Sequence, residues 1–138
     1  MTKTAMTQEE VHDLLRRMFD AFTNPATKAE QFAELLTPDC IQRVDGKQLD
    51  YEGFLRHSEA LKASLVSSSV TFEHIVTDGV SAATVHIAEA VKTGGERIRL
   101  KVVAYYQFCG NRISLVDELT HLVEGSAQDQ DLGSRMPG

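Results

Sequence analysis

Apolar residues near the start of the chain recur at Val11, Leu14, Leu15, Met18, Phe19 and Phe22, the spacing that turns one face of a helix toward a core. Thr7 and Glu10 stand at capping-box spacing before this run, and Asn24-Pro25 ends it. A second such pair, Thr27 with Glu30, opens a short helix carrying Ala29, Phe32, Ala33 and Leu36. A strand from Cys40 to Val44 then enters an Asp45-Gly46 turn. Asp50 caps a third helix with Tyr51, Phe54, Leu55, Ser58, Leu61 and Leu65 on one face and His57 at its flank. From residue 69 the period changes to two, and Asp78-Gly79, Gly94-Gly95 and Gly110-Asn111 punctuate four antiparallel strands near 70–77, 80–92, 96–109 and 112–123. The order predicts an α+β domain over residues 1–124, three N-terminal helices packed on an antiparallel sheet. Residues 125–138, "GSAQDQDLGSRMPG", have little to bury and are expected to form a flexible C-terminal tail.

If each turn dipeptide is a two-residue loop, Thr77 faces Val80, Thr93 faces Glu96 and Cys109 faces Arg112. Alternation then sorts the side chains. The apolar face takes Phe72, His74, Val85, Ile87, Glu89, Val91, the even residues from Ile98 to Phe108, and Ile113, Leu115, Asp117, Leu119, His121 and Val123. The other face takes Thr84, His86, Ala88, Arg97, Arg99, Lys101, Val116 and Glu118. On this register Phe72, Val85, Ala104 and Asp117 share a row and His74, Ala83, Tyr106 and Leu115 the next, so Asp117 lies diagonal to Tyr106 with small residues leaving room beside it. A third row holds Glu89, Leu100 and His121. A one-residue bulge would invert everything beyond it. Ile75, Val103, Tyr105 and Val116 give the outer face an apolar centre in a polar rim, which predicts a homodimer.

The 138 residues are 42% hydrophobic, enough for one domain with a core of its own. Net charge is −6 and Lys and Arg form no run, so nucleic acid and anionic membranes are not expected partners. No apolar leader or stretch of ~18 apolar residues is present, which predicts a cytoplasmic protein. Cys40 and Cys109 are far apart and read as two buried free thiols. Without H-x-H, H-x-x-x-H, G-x-S-x-G, Walker or G-x-G-x-x-G patterns, neither a metal nor another cofactor is expected.

The segments "LDYEGFLRHSEAL" and "FCGNRISLVDEL", set in this order of elements, resemble the nuclear transport factor 2-like superfamily, most closely its SnoaL-like and ketosteroid isomerase-like branches, over residues 7–123. The resemblance implies a cone: a strongly curved sheet around a pocket closed by helices, and in many members dimerised through the outer sheet surface. Members include isomerases, cyclases, epoxide hydrolases, dehydratases and noncatalytic binding modules. The ketosteroid isomerase base would fall at Val44, with Asp45 one residue out of phase, and its helix tyrosine near Met18, so that chemistry is not carried over. The last-strand carboxylate of limonene epoxide hydrolases matches Glu118. Family placement thus favours Glu118 and alternation favours Asp117; four strands agreeing give alternation the greater weight here. A carboxyl among Leu, Ile and Val has the raised pKa that acid–base work near neutrality needs, so Asp117 is the expected base and His74 its partner acid. Tyr106, His57, Phe72, Ala104 and Glu118 complete the expected ligand set, although a core Asp, His or Tyr satisfied by neighbours would read the same way. The expected ligand is a small, largely apolar molecule, turned over or simply bound.

Overall fold

A computed structural model of the chain describes residues 5–126. Helix α1 (Gln8–Thr23) begins where expected: Glu10 N donates to Thr7 Oγ1 at 3.2 Å and Thr7 N to Glu10 Oε1 at 3.0 Å. It buries Val11, Leu14, Leu15 and Met18. Helix α2 (Ala29–Phe32) is a single turn, and its cap sits one residue later than Thr27 and Glu30 suggest: Lys28 N donates to Gln31 Oε1 at 2.7 Å. Strand β1 (Leu36–Val44) takes up Leu36, and β2 (Lys47–Leu49), which the sequence pattern did not reveal, folds back on it through Asp45 and Gly46, both at positive φ. Asp50 Oδ1 then accepts from Gly53 N at 2.7 Å to open α3 (Tyr51–Ser64). The long strands β3 (Leu65–Thr77), β4 (Ser81–Lys92), β5 (Arg97–Cys109) and β6 (Arg112–Glu124) follow.

The strands form one open six-stranded sheet in the order β2-β1-β6-β5-β4-β3. It is mixed rather than purely antiparallel, because β1 runs parallel to β6. The fold is α+β, with α1 lying against β3, and α3 against β1, β2 and β3. Core side chains from α1, α2 and α3 meet Ile98, Leu100, Val102, Ala104, Tyr106 and Phe108 of β5, the face expected for that strand. The expectation for the tail lies, from residue 127 on, outside the described residues.

Two features overturn the register read from the sequence. Lys92 N donates to Glu96 O and Gly95, at φ +87°, donates to Lys92 O, so the β4–β5 connection has three residues and Val91 faces Arg97, not Ile98. That turns Ala82, Thr84, His86 and Ala90 inward in place of Val85, Glu89 and Val91. In β6, Phe108 faces Ile113 but Gln107 faces Leu115, leaving Ser114 as an extra residue. Beyond this bulge Val116 and Glu118 point inward, while Asp117, Leu119 and His121 are exposed. The β3–β4 hairpin closes at Thr77 and Ala82, not at Thr77 and Val80, and a further shift between Phe72 and His74 leaves His74 exposed.

Residues 5 and 6 cross this hairpin, where Met6 N donates to Gly79 O at 3.0 Å. A Cβ on Gly79 would stand 2.4 Å from Met6 O, and its φ of +91° disfavours any side chain. Gly79→Ala is therefore expected to cost about 2 kcal/mol or more in urea unfolding. Gly46→Ala meets no atom within 4 Å and should cost about half that, from its φ of +84° alone. Equal costs would mean that the N-terminal contact adds nothing.

Candidate functional site

The inward residues of β1, β4, β5 and β6, the first half of β3 from Leu65 to Val70, and the facing sides of α1 and α3 line a partly open cavity of about 120 Å³. Its wall is mostly apolar: Met18, Phe19 and Phe22 from α1, Phe54 and Leu61 from α3, and Leu100 and Val102 from β5. Four aromatic rings, Phe19, Phe22, Tyr51 and Phe54, enter from the helices because α1 and α3 each repeat bulky residues at helical spacing on the faces turned to the sheet. Phe22 lies 5.6 Å from Phe54 and 5.4 Å from the His57 ring, which is buried on α3.

Glu118 is the ionisable group of most consequence here. The Ser114 bulge turns it inward, and it borders the cavity at 8% exposure. Burial pushes its pKa up from 4.5 to about 7, with Asp45 and Asp117 adding to the rise and a bond from Gln42 opposing it. Gln42 Nε2 donates to Glu118 Oε1 at a long 3.4 Å, and Gln42 Oε1 is buried without a partner among the described residues. The carboxyl is thus held loosely and can change protonation near neutrality. Asp45 fixes the strand around it: its backbone N donates to Glu118 O at 3.0 Å, and its carboxylate accepts from Thr120 N at 2.8 Å and Thr120 Oγ1 at 2.5 Å. Cys40 also borders the cavity, but burial, with Asp39 beside it, pushes its thiol up to about 12, leaving it a poor nucleophile.

On the opposite side, His86 of β4 borders the cavity at 1% exposure. Its ring lies 4.9 Å from Phe19 and 5.5 Å from Phe72, and its Nδ1 is 2.9 Å from Thr84 Oγ1. Burial drives its pKa down from 6.5 to about 4, so the imidazole is neutral at physiological pH. Thr84 Oγ1 is in turn 3.0 Å from the hydroxyl of Tyr106, whose own pKa burial raises strongly.

A SnoaL-like domain pattern matches residues 15–116, more than half of the chain. The chain belongs to the SnoaL-like family. A SnoaL-like domain of this kind falls in the nuclear transport factor 2-like superfamily, as the resemblance implied. An uncharacterised protein of Schizosaccharomyces pombe is 43% identical over 126 residues, 91% of this chain and 97% of the other. Among solved structures, IdmH of Streptomyces antibioticus, a candidate polyketide cyclase, is similar with a TM-score of 0.68 and 20% identity, covering 79% of this chain and 90% of its own. An M. tuberculosis LEH-like epoxide hydrolase is similar with a TM-score of 0.69 and 15% identity over 82% of this chain and 84% of its own. At these identities the solved structures carry the fold.

Within this SnoaL-like frame the expected site residues scatter. Glu118 and His57 border the cavity. Tyr106 and Ala104 are buried in the core on the same face of β5, farther along the strand than the lining residues Leu100 and Val102, and Phe72 packs edge-on against Phe19 and His86. Asp117 and His74 stand exposed on the outer sheet surface, so the pairing of Asp117 with His74 is corrected: the three-residue β4–β5 loop, the Ser114 bulge and the β3 shift moved the strands out of the assumed phase. Glu89 and His121 do not pair either, since Glu89 faces Arg99 while His121 faces Lys101. Cys109 is exposed rather than buried. Val44 is a core residue, as its apolar side chain requires. Sequence reasoning missed Gln42, Thr84 and His86. The available signal was the run of small residues Ala82, Ala88 and Ala90 in phase with Thr84 and His86, the mark of a wall with space in front of it.

Proposed function

We propose that the protein is an acid–base enzyme acting on a small, largely apolar molecule, with Glu118 as the group that takes and returns a proton. What supports this is a buried carboxyl, with a pKa near 7, bordering an aromatic-lined cavity. In its charged form Glu118 accepts a proton from a C–H or from water; in its neutral form it gives the proton back, to the same molecule or to a leaving oxygen. Isomerase, cyclase, hydrolase and dehydratase chemistry all use that pair of steps, and none requires a cofactor. Gln42 positions the carboxyl through its amide, and Phe19, Phe22 and Phe54 exclude water and hold an apolar ring. A cavity of about 120 Å³ is near the ~150 Å³ that accommodates a benzene-sized guest.

A screen of small cyclic and aromatic carbonyl compounds, first by thermal shift and then by turnover, tests the reading. Glu118→Gln is expected to lower turnover of any substrate found by about 10²- to 10⁴-fold, while Asp117→Asn on the outer surface leaves it unchanged. Retention of full turnover in Glu118→Gln refutes the assignment. A second reading, a noncatalytic ligand-binding module, is favoured by the cavity falling below the ~300 Å³ usual for enzyme clefts. It predicts ligand-induced stabilisation with no turnover in the parent chain.

We also propose a homodimer through the outer sheet face. The residues supporting it differ from those expected, because Val116 is buried inside and Ile75 is half-buried. Leu119 at 68%, Val76 at 64%, Val103 at 54% and Tyr105 at 41% exposure form an apolar stripe across the antiparallel strands, bordered by the Lys101–Glu73 ion pair. Such a stripe can cover a second copy of itself. Sedimentation at micromolar concentration should give a dimer for the parent chain and a monomer for Leu119→Glu; a monomeric parent sinks the proposal.

A further inference from the structure

The chain of hydrogen bonds that runs from Tyr106 of β5 through Thr84 to His86 of β4, beside the cavity, has a direction, and the direction fixes what His86 offers to the cavity. Tyr106, Thr84 and His86 are buried at 0%, 2% and 1% exposure. A buried phenol needs an acceptor for its proton, and among the described residues Thr84 Oγ1, at 3.0 Å, is the acceptor within reach. Tyr106 therefore donates to Thr84. The single proton of the Thr84 hydroxyl then points to His86 Nδ1 at 2.9 Å, which makes Nδ1 the lone-pair nitrogen. A neutral imidazole accepting at Nδ1 carries its proton on Nε2. The reverse direction would leave the phenol proton unpaired in the core, which is unfavourable. Nε2 has no hydrogen-bond partner among the described residues, and the ring borders the cavity.

We propose that His86 presents Nε2–H to the cavity as a fixed hydrogen-bond donor, aimed by Tyr106 and Thr84, and that the ligand therefore carries a carbonyl or similar acceptor oxygen on its β4 side. This rests on the reading of the cavity as a ligand site and narrows the ligand to a carbonyl-bearing, ring-sized molecule. Packing against Phe19 and Phe72 leaves the ring little freedom to turn away. Burial keeps it neutral, as the chain requires, because an imidazolium would place a second donor against the Thr84 proton. Glu118 stands two strands away across β5 and one inward position along, in the row of Thr84 and Ala104, which puts it about 12 Å from His86 at the backbone by the usual strand spacing and rise. A ligand reaching both groups has its acceptor oxygen at one end and its polar or proton-yielding end at the other. Tyr106 and Thr84 do not border the cavity; they are positioning residues acting through His86.

Long-range ¹H–¹⁵N correlation on the labelled full chain near pH 7.5 reads the tautomer directly. His86 should be bare at Nδ1 and protonated at Nε2, and Thr84→Val should let the two tautomers mix. Tyr106→Phe, which removes only the phenol oxygen, frees Thr84 to reverse and gives the same mixing if Thr84→Val does not fold. An Nδ1-protonated ring in the parent chain overturns the proposal. Titration with acetophenone and ethylbenzene, matched in size but differing in the carbonyl oxygen, reads the recognition. The parent chain should favour acetophenone by about tenfold. His86→Phe should abolish that preference, and the positioning variants should reduce it. Equal binding of both probes by the parent sinks the donor assignment alone, whereas binding of neither sinks the ligand-site reading and this inference with it.

Discussion

Glu118→Gln is expected to make the protein more stable at pH 8, by about 3 kcal/mol, while removing its proton-transfer group. The carboxyl ionises near 4.5 in an unfolded chain and at about 7 in the folded one, and that difference corresponds to about 3 kcal/mol. The sign follows from the raised value: Glu118 contributes its stabilisation fully below pH 4.5 and loses it as pH rises through 7. At pH 8 the parent chain carries a charge in an apolar cavity, and the amide does not. The amide also brings a donor beside Gln42 Oε1, the buried acceptor without a partner among the described residues. Urea unfolding at pH 8 should show a higher midpoint with an unchanged slope. A lower midpoint would mean that Glu118 is a structural acceptor, and its catalytic assignment would fall.

His86 has the opposite linkage. Its folded value of about 4, against 6.5 unfolded, gives stabilisation fully present above 6.5 and lost as pH falls through 4, again about 3 kcal/mol. Between pH 4.5 and 6.5 the two slopes oppose each other, so their summed effect in the parent chain is nearly flat. Glu118→Gln exposes the His86 limb: stability of that variant should climb by about 3 kcal/mol from pH 4 to 6.5 and then level off. A flat profile in the variant would mean that His86 is not held neutral by burial.

How these residues came to face one cavity was only partly written in the sequence. Helices α1 and α3 were legible because a 3.6-residue period and a capping side chain act locally: Thr7 with Glu10, and Asp50 with Gly53, needed no tertiary information. The α+β class and the six inward residues of β5 were legible for the same reason, since strict alternation marks a strand buried on one face. The phase between strands was not, because it depends on loop length and bulges. Gly94-Gly95 fits a two-residue turn as well as the three-residue one formed, and the choice decides whether Val85 or His86 faces the core. In β6 both faces are apolar, Leu115 and Leu119 on one and Val116 and Leu122 on the other, so hydrophobicity could not report the extra residue. The resemblance to limonene epoxide hydrolases pointed to Glu118, the residue that the bulge at Ser114 turns inward.

Deletion of Ser114 is expected to cost no more than about 2 kcal/mol and to leave the inward set of β6 unchanged. Ser114 is only partly buried, and its hydroxyl donates one bond, to Gln107 O at 3.2 Å. Phe108 pairs with Ile113 and its neighbour Gln107 with Leu115, so removing the residue between Ile113 and Leu115 joins the two halves of the ladder in one regular register. Ile113 keeps its place in the core and its N–H bond to Leu35 O, and the bonds that tie Asp45 to Glu118 and Thr120 keep their partners. Val116 and Glu118 stay inside while Asp117 and His121 stay out. What is lost is the Ser114 bond and the extra local twist that a bulge gives its strand. Ser114→Ala keeps the bulge and should cost less than about 1 kcal/mol, which separates the bulge from the side chain. Urea unfolding of both variants checks this, and a deletion that costs more than about 4 kcal/mol would show that the core depends on the twist at the bulge. In either case Glu118, not Asp117, remains the carboxyl at the cavity, so Asp117→Asn in the deletion variant should leave any turnover unchanged.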